Sequence, residues 1–338
     1  MNPIPLQSAI PLAVSGAPQI DFARRFGGVG RLYGEAALTR FQAAHVCVIG
    51  VGGVGSWIVE ALARSAIGHL TLIDLDNLAE SNINRQIHAL TDTLGMAKVS
   101  ALHQRILQIN PFCRVTEIED FITVENVAQL VGAGHFDYVI DAIDDVRAKT
   151  ALIAHCRSSG IPLVTIGGAG GQIDPTKIEI RDLCRTEQEP LLAKVRKRLR
   201  ALHGFPRGTK NKFNIDAVFS TEHLRQPEGA EACEIGDDQG TREEGSALGV
   251  ALPGTPVTAT PATAMPSIAM PSVAAPSVAT SGVATPGVTG LNCAGFGSAM
   301  VVTASFGLVA AGHVLNKLAL QATKAALAEA SVASEPAS

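Results

Sequence analysis

No Cys-x-x-Cys pair occurs in the 338 residues; cysteines stand singly at Cys47, Cys113, Cys156, Cys184, Cys233 and Cys293. Isolated cysteines build neither a zinc ribbon nor a disulfide framework, and reduced thiols in a cytosolic protein are the simpler expectation. A dominant charge is missing as well. The net charge of −4 draws no polyanion to the chain as a whole, so any nucleic-acid contact has to come from a local basic patch. The N-terminus has no basic stretch followed by an apolar run, so no secretion signal is expected and the cytoplasm is the expected compartment. Between Glu244 and Lys317 there is no Asp, Glu, Lys or Arg at all.

That uncharged stretch has two unlike halves. Residues 250–290 are Pro, Ala, Thr, Ser, Val and Gly apart from Leu252, Met265, Ile268 and Met270, with a recurring unit: MPSIA from Met265, MPSVA from Met270, APSVA from Ala275. Proline at this spacing prevents helix and interrupts a strand ladder, and small side chains bury too little surface to offset ordering entropy. A disordered insertion is expected there. Residues 294–315 are apolar over the length of a membrane span. Gly295, Gly297, Gly307 and Gly312 interrupt them, and neither an aromatic belt nor a basic cluster flanks them, so a buried core helix is expected.

A nucleotide signal begins at His45–Ile49, an apolar run of strand length. It is followed at once by Gly50-Val-Gly52-Gly53-Val-Gly55 and by the helical pattern Ser56–Ser65. Glycines let a backbone approach phosphate, and a helix N-terminus supplies free N–H groups and partial positive charge. A second strand, His69–Ile73, leads into Asp74, at the spacing where a carboxylate accepts from ribose hydroxyls. Three further features turn the reading from NAD towards a triphosphate with Mg²⁺, which needs carboxylates and cations together. These are the polar run DLDNLAESNINRQ from Asp74 to Gln86, the helical Lys98, and Asp144 just past the apolar run Tyr138–Ile140.

The series GVGGVGSW, LIDLDNLAESNINRQ, GMAKV, INP and DAIDD resembles the HesA/MoeB/ThiF family of ATP-dependent adenylating enzymes, over roughly residues 20–180. The resemblance implies an α/β fold: a Rossmann-like, doubly wound, mostly parallel sheet. It implies ATP and Mg²⁺ as cofactors, with Gly50, Gly52, Gly53 and Gly55 holding the nucleotide and Asp74 the ribose. It further implies Asn82, Arg85, Gln86 and Lys98 at the phosphates, and Asp144 on the metal and substrate; Arg85, Lys98 and Asp144 form the catalytic set. A homodimer is implied too, in which an N-terminal arginine, Arg25 or Arg31, reaches the partner's nucleotide, with a sulfur-relay protein as a further partner.

RFGGVGRLYG, TIGGAGGQIDPTKIEIRDL, DAVFSTE and NCAGFGSAMVVTASFG are similar to the branch of that family that cyclises threonylcarbamoyladenosine at position 37 of tRNA. The implied partner is therefore a tRNA bearing threonylcarbamoyladenosine. Independently, residues 194–212 carry Lys194, Arg196, Lys197, Arg198, Arg200, Arg207, Lys210 and Lys212 without an acid. A basic helix and loop of this kind suit RNA phosphates. Adenylation of a ubiquitin-like sulfur carrier, or a non-catalytic nucleotide-binding scaffold in sulfur transfer, stay open as alternatives. The missing Cys-x-x-Cys pairs count against the first; the complete polar set counts against the second. The expected organisation is a loose tail over 1–20, an ATP-binding adenylation domain over 21–180 and a substrate-binding region with the basic helix over 181–249. The insertion over 250–290, a C-terminal core segment over 291–324 and a loose tail over 325–338 complete it.

Overall fold

Strands of four or five residues build one seven-stranded sheet in this computed structural model, which describes residues 20–225 and 296–333, with side chains to residue 327. The insertion, residues 1–19 and 334–338, Cys233 and Cys293 lie outside the described residues, whereas residues 325–333, expected as part of a loose tail, continue the C-terminal helix. All described residues belong to one compact unit, 1–228 with 289–338; a second, 229–288, lies outside them.

The elements run α1 (Phe22–Tyr33), α2 (Glu35–Ala43), β1 (His45–Ile49), α3 (Gly55–Arg64), β2 (His69–Ile73), α4 (Lys98–Ile109) and β3 (Arg114–Ile118). Then come α5 (Val127–Gly132), β4 (Tyr138–Asp141), α6 (Val146–Ser159), β5 (Leu163–Ile166), β6 (Ile178–Asp182), α7 (Pro190–Leu202), β7 (Asp216–Ser220) and α8 (Met300–Ala333). Strand order is β3-β2-β1-β4-β5-β7-β6. Every pairing is parallel except that of β6 with β7. The chain is thus α/β and doubly wound, with β6 and β7, beyond residue 177, in the same sheet as the glycine-loop strand.

Side chains alternate across the sheet, so each strand feeds two cores. On β1, Val46 and Val48 face a core shared with α2, α3, α4 and α8, while Cys47 and Ile49 face one shared with α5, α6 and α7. Cys47, Cys113, Cys156 and Cys184 are all buried and unbridged. Burial pushes the Cys113 and Cys156 thiols up to about 12, which leaves them unreactive.

Helix α8 is long and apolar enough to cross a bilayer by length and composition, yet just over half of its most apolar window is buried. Phe306, Ala310, Ala311, Val314 and Leu318 line the first core. Gly307 is required here: a Cβ on it would stand 2.6 Å from the Val54 carbonyl oxygen and 2.9 Å from Trp57 Cβ. At its middle, His313 and Lys317 both reach Asp216 at 2.9 Å, which holds that carboxyl down at about 2.

At the N-terminal edge of the sheet, the His45 and His69 rings stack 3.5 Å apart. Burial first, then His69, lowers His45 from 6.5 to about 4, with Arg114 adding to the fall and Asp137 opposing it. Arg40 pairs with the same Asp137. The unfolded chain therefore takes up a proton below pH 6.5 that the folded chain refuses until about pH 4, so this site costs stability as pH falls through that window. His45 is half-buried, and solvent screening reduces the effect to about 1–2 kcal/mol. Urea unfolding at pH 7 and pH 4.5 is expected to show a smaller acid loss in His45→Gln than in the parent, with equal losses in both counting against the stacked pair as the cause.

Candidate active site

The ends of β1, β2 and β4 are level: Ile49 is in register with Ile73 on one side and with Asp141 on the other. Three loops therefore leave the sheet together, at the point where strand order reverses and doubly wound sheets take their ligands.

The loop after β1 is the glycine run. Gly50 has φ +81°, and a Cβ there would stand 2.8 Å from the Ala142 carbonyl oxygen. At Gly55 a Cβ would fall 1.8 Å from the Gly50 carbonyl oxygen, so the turn into α3 closes only without a side chain. At Gly52 and Gly53, by contrast, a Cβ would meet only side chains, Gln86 Nε2 at 3.8 Å and Arg85 Cδ and Cγ at 3.3 Å. A small, open cradle at a helix N-terminus, faced by an arginine and an amide, is suited to a polyphosphate.

The loop after β2 begins with Asp74, which is 8% exposed. One oxygen accepts the Val51 N–H at 2.8 Å and the other the Asp76 N–H at 3.0 Å. Burial raises its carboxyl, while Lys98 and the two backbone donors oppose that rise. The chain then folds back through a bridge between Asn77 and Ala97, which places Lys98, the first residue of α4, beside Asp76. Lys98 is buried, with Nζ 2.6 Å from Asp76 Oδ2 and 3.9 Å from Asp74 Oδ1. Within the excursion, the Asn82 side-chain carbonyl accepts the Ala79 N–H at 3.0 Å and caps a 3₁₀ turn. Arg85 donates to the Ser81 carbonyl at 2.7 Å, while its own carbonyl accepts Trp57 Nε1–H at 2.9 Å. Gln86 is buried, with Oε1 unpartnered, as is the Ser56 hydroxyl. Orphaned acceptors and donors beside a cradle are the fit expected of a polar ligand site.

The third loop follows β4. The strand runs one residue further than the apolar run, so the acid at its end is Asp141, not Asp144. Asp141 is fully buried, 2.9 Å from Lys149 Nζ, and accepts Thr165 Oγ1–H at 2.7 Å, an arrangement that holds β4, β5 and α6 together. Asp144 is half-buried in the loop beyond, between Ile143 and Asp145, the residue that caps α6. A single carboxylate beside a triphosphate matches the way Mg²⁺ is held, by one or two carboxylates plus the phosphates.

Gly50, Gly52, Gly53, Gly55, Asp74, Arg85, Gln86 and Lys98 are thus brought together, and Asp144 lies two residues from the Ala142 that abuts Gly50. Asn82 belongs to the same loop, with its side-chain oxygen engaged as a cap. Sequence reasoning passed over two residues. Asp76, the second acid of the DLD run, is the direct partner of Lys98. His88 is buried with both ring nitrogens unpartnered, and burial, then Lys98 and Arg105, lower it to about 3. Nothing in the local sequence marked it.

The basic residues lie on a different element. Helix α7 starts at the same edge of the sheet, where Glu189 caps it and also accepts the Gly168 N–H at 3.0 Å. Lys194 and Lys197 are exposed. Arg196, Arg198 and Arg200 are half-buried; Arg196 donates to Thr186, and Arg200 donates to the Pro206 carbonyl at 3.3 Å and lies 5.2 Å from the Phe213 ring centre. Arg196, Lys197, Arg200 and Arg207 line a cleft of about 470 Å³. Arg25 and Arg31 are both exposed, and Arg25 alone donates to the Gln108 and Ile109 carbonyls at the end of α4, at 3.3 and 2.9 Å.

The ThiF family profile matches residues 28–332, and the glycine run, the Asp74–Lys98 excursion and the Asp144 loop all lie inside it. The chain belongs to the ThiF family. Within it, the chain is 48% identical over 302 residues to the tRNA threonylcarbamoyladenosine dehydratase of Escherichia coli K12, covering 89% of this chain and 96% of that protein. It is 44% identical over 299 residues to the Haemophilus influenzae protein of the same name, covering 88% and 94%. The crystal structure of the E. coli dehydratase TcdA in complex with ATP superposes with a TM-score of 0.68 and 44% identity, over 89% of this chain and 96% of that one.

Removing the Lys98 ammonium leaves Asp74 and Asp76 without their shared cation. Lys98→Ala is expected to weaken ATP binding and turnover by at least about tenfold, the scale of one charge-assisted contact, while secondary structure persists. Isothermal titration with ATP and circular dichroism check this; parental ATP affinity in the folded variant removes Lys98 from the site.

Proposed function

We propose that this ThiF-family chain is an ATP-dependent tRNA threonylcarbamoyladenosine dehydratase. The observation that carries the reading is the assembled cradle in a chain that matches a dehydratase over 96% of that protein's length. The glycine run, Asp74, Arg85, Gln86 and Lys98 gather at the level ends of β1 and β2.

The chemistry is the activation of a poor leaving group. The threonyl carboxylate of the modified adenosine attacks the α-phosphorus of ATP; the bond to the β-phosphate breaks and pyrophosphate leaves. The neighbouring carbamoyl group then attacks the activated acyl carbon, closes the ring and expels AMP, so that the net change is loss of water. The glycine backbone and the first turn of α3 cradle the phosphates, Asp74 holds the ribose, and Arg85 and Lys98 offset charge as it builds on the departing pyrophosphate. Asn82 and Gln86 add amide hydrogen bonds to the phosphates. Asp144 is the residue that would hold Mg²⁺, which neutralises phosphate charge when bound. No residue needs to act as a nucleophile: the buried cysteines near the sheet are raised and unreactive, and positioning supplies the rate.

Helix α7 supports a tRNA contact, since it carries two exposed lysines and lines a basic cleft with the loop that follows it. Lys194 and Lys197 make the phosphate contacts at the surface; Arg196, Arg198 and Arg200 shape the cleft between helix and loop. A homodimer follows from the family resemblance, and Arg31, which lacks the α4 carbonyl contacts that hold Arg25, is the arginine that reaches the partner's nucleotide. A cytoplasmic location fits a tRNA substrate, and a sulfur-relay partner rests on the resemblance alone.

Two measurements test the reading. Pyrophosphate release from ATP is expected to depend on tRNA bearing threonylcarbamoyladenosine; release that responds instead to a sulfur carrier protein refutes it. Lys194→Glu combined with Lys197→Glu is expected to raise KM for tRNA, leave ATP affinity unchanged, and flatten the salt dependence of tRNA binding by roughly one unit of slope per lost phosphate contact. Both side chains are exposed, so the fold is expected to be unaffected; an unchanged slope takes α7 out of the RNA interface.

A further inference from the structure

Arg85 does not stand alone on its loop. Its NH1 donates to the side-chain oxygen of Asn84 at 3.0 Å, and the Asn84 amide nitrogen donates to the Ser298 carbonyl at 2.9 Å. The orientation of that amide follows from chemistry: a guanidinium only donates and a backbone carbonyl only accepts, so oxygen faces Arg85 and nitrogen faces Ser298. One residue before Ser298, the Gly297 carbonyl accepts the Gly171 N–H at 2.8 Å, and the Gly171 carbonyl accepts the Arg225 N–H at 2.8 Å. Gly171 has φ +73°, and a Cβ on it would stand 3.0 Å from the Phe296 ring and 3.3 Å from the Arg225 carbonyl oxygen. This clasp admits only glycine without strain.

The result is a continuous polar path from the loop after β5 to the arginine beside the glycine cradle. It crosses three segments far apart in sequence: Gly171, Gly297–Ser298 and Asn84–Arg85. The loop at its far end is held separately, through Glu222, whose carboxylate accepts the Ile173 and Asp174 N–H groups at 3.0 and 2.9 Å. On the other side of Arg85, the Trp57 indole ties its carbonyl to α3, and Gly307 of α8 abuts that same tryptophan.

We propose that Asn84 is a positioning residue for Arg85, and that the Gly171 clasp acts on ATP through it. Asn84 fixes the guanidinium over the glycine run and takes its own position from the Ser298 carbonyl, which Gly171 sets. The loop after β5 and the phosphate arginine are thereby coupled, although neither touches the other. This inference rests on the assignment of Arg85 to the ATP phosphates.

The test is a double-mutant cycle on the full chain, with kcat and KM for ATP measured at saturating modified tRNA. Trp57, the single tryptophan of the chain, supplies a fluorescence signal at the Arg85 backbone on ATP addition. Asn84→Ala is expected to lower kcat/KM for ATP about tenfold, the scale of one lost bond to a charged group. Asn84→Asp keeps an acceptor for Arg85 but loses the donor to Ser298, so it separates the two links. Gly171→Ala is expected to lower kcat/KM for ATP about fivefold in the parent and less than about twofold in the Asn84→Asp background, since a broken path transmits nothing. The Trp57 response to ATP is expected to change with Gly171→Ala in the parent background only. An equal effect of Gly171→Ala in both backgrounds overturns the coupling, and unchanged ATP constants in the exposed Asn84→Ala variant, which needs no refolding of the core, overturn the positioning role. Arg85→Ala separates this from its premise: parental ATP affinity there removes the phosphate assignment itself, whereas weakened binding there beside a silent Asn84→Ala removes the inference alone.

Discussion

A carboxylate buried under a loop holds this site together. Asp74 leaves β2, accepts the Val51 N–H across the strand gap, and takes the Asp76 N–H on its other oxygen, with the Lys98 ammonium closing the set. Burying an uncompensated carboxylate is costly, and two backbone donors and a cation compensate this one. The bond to Val51 sets where the glycine run begins. The bond to Asp76 starts the excursion that returns Lys98 to the same spot. Asp74, Lys98 and the glycine cradle therefore share one anchor and keep their relative positions.

Register supplies the rest. Because β1, β2 and β4 end level, the loops that leave them meet without any long side chain having to bridge a gap. The close approaches at Gly50 and Gly55 are the consequence: backbone packs on backbone, and the open side of the cradle is faced only by side chains, those of Arg85 and Gln86.

Much of this was legible from residues alone. Apolar runs with no competing period marked β1 and β2 at His45–Ile49 and His69–Ile73, and the glycine run fixed the turn between β1 and its helix to within a residue. The α/β class and the choice of a core helix over a membrane span followed from the same patterning. Strand β4 read one residue short, because an aspartate at an apolar run's end looks like a boundary until Lys149 and Thr165 are seen to neutralise it. Asp76 and His88 were passed over for a related reason: their importance is a matter of burial and partner, neither of which spacing encodes. The basic run of α7 read as one patch, whereas the fold divides it into exposed lysines and half-buried arginines committed to Thr186, Pro206 and Phe213. Arg25 and Arg31 were equivalent in sequence, and only the end of α4 tells them apart.

The contact of Gly307 with Val54 and Trp57 bears on the order in which the molecule can be made. The cradle belongs to β1 and α3, but the helix that backs it, α8, lies far downstream in the chain. Until α8 arrives, the apolar flank of α3 faces water, and the nascent chain carries a nucleotide loop without its support. Closing so distant a contact slows folding more than it weakens the finished protein, because closure entropy grows only with the logarithm of the intervening length. The same arithmetic explains how a long stretch can sit between β7 and α8 at little thermodynamic cost: each doubling of that connection adds only about 0.6 kcal/mol. A chain truncated before α8 would keep every residue of the candidate site and still lack the surface that backs it.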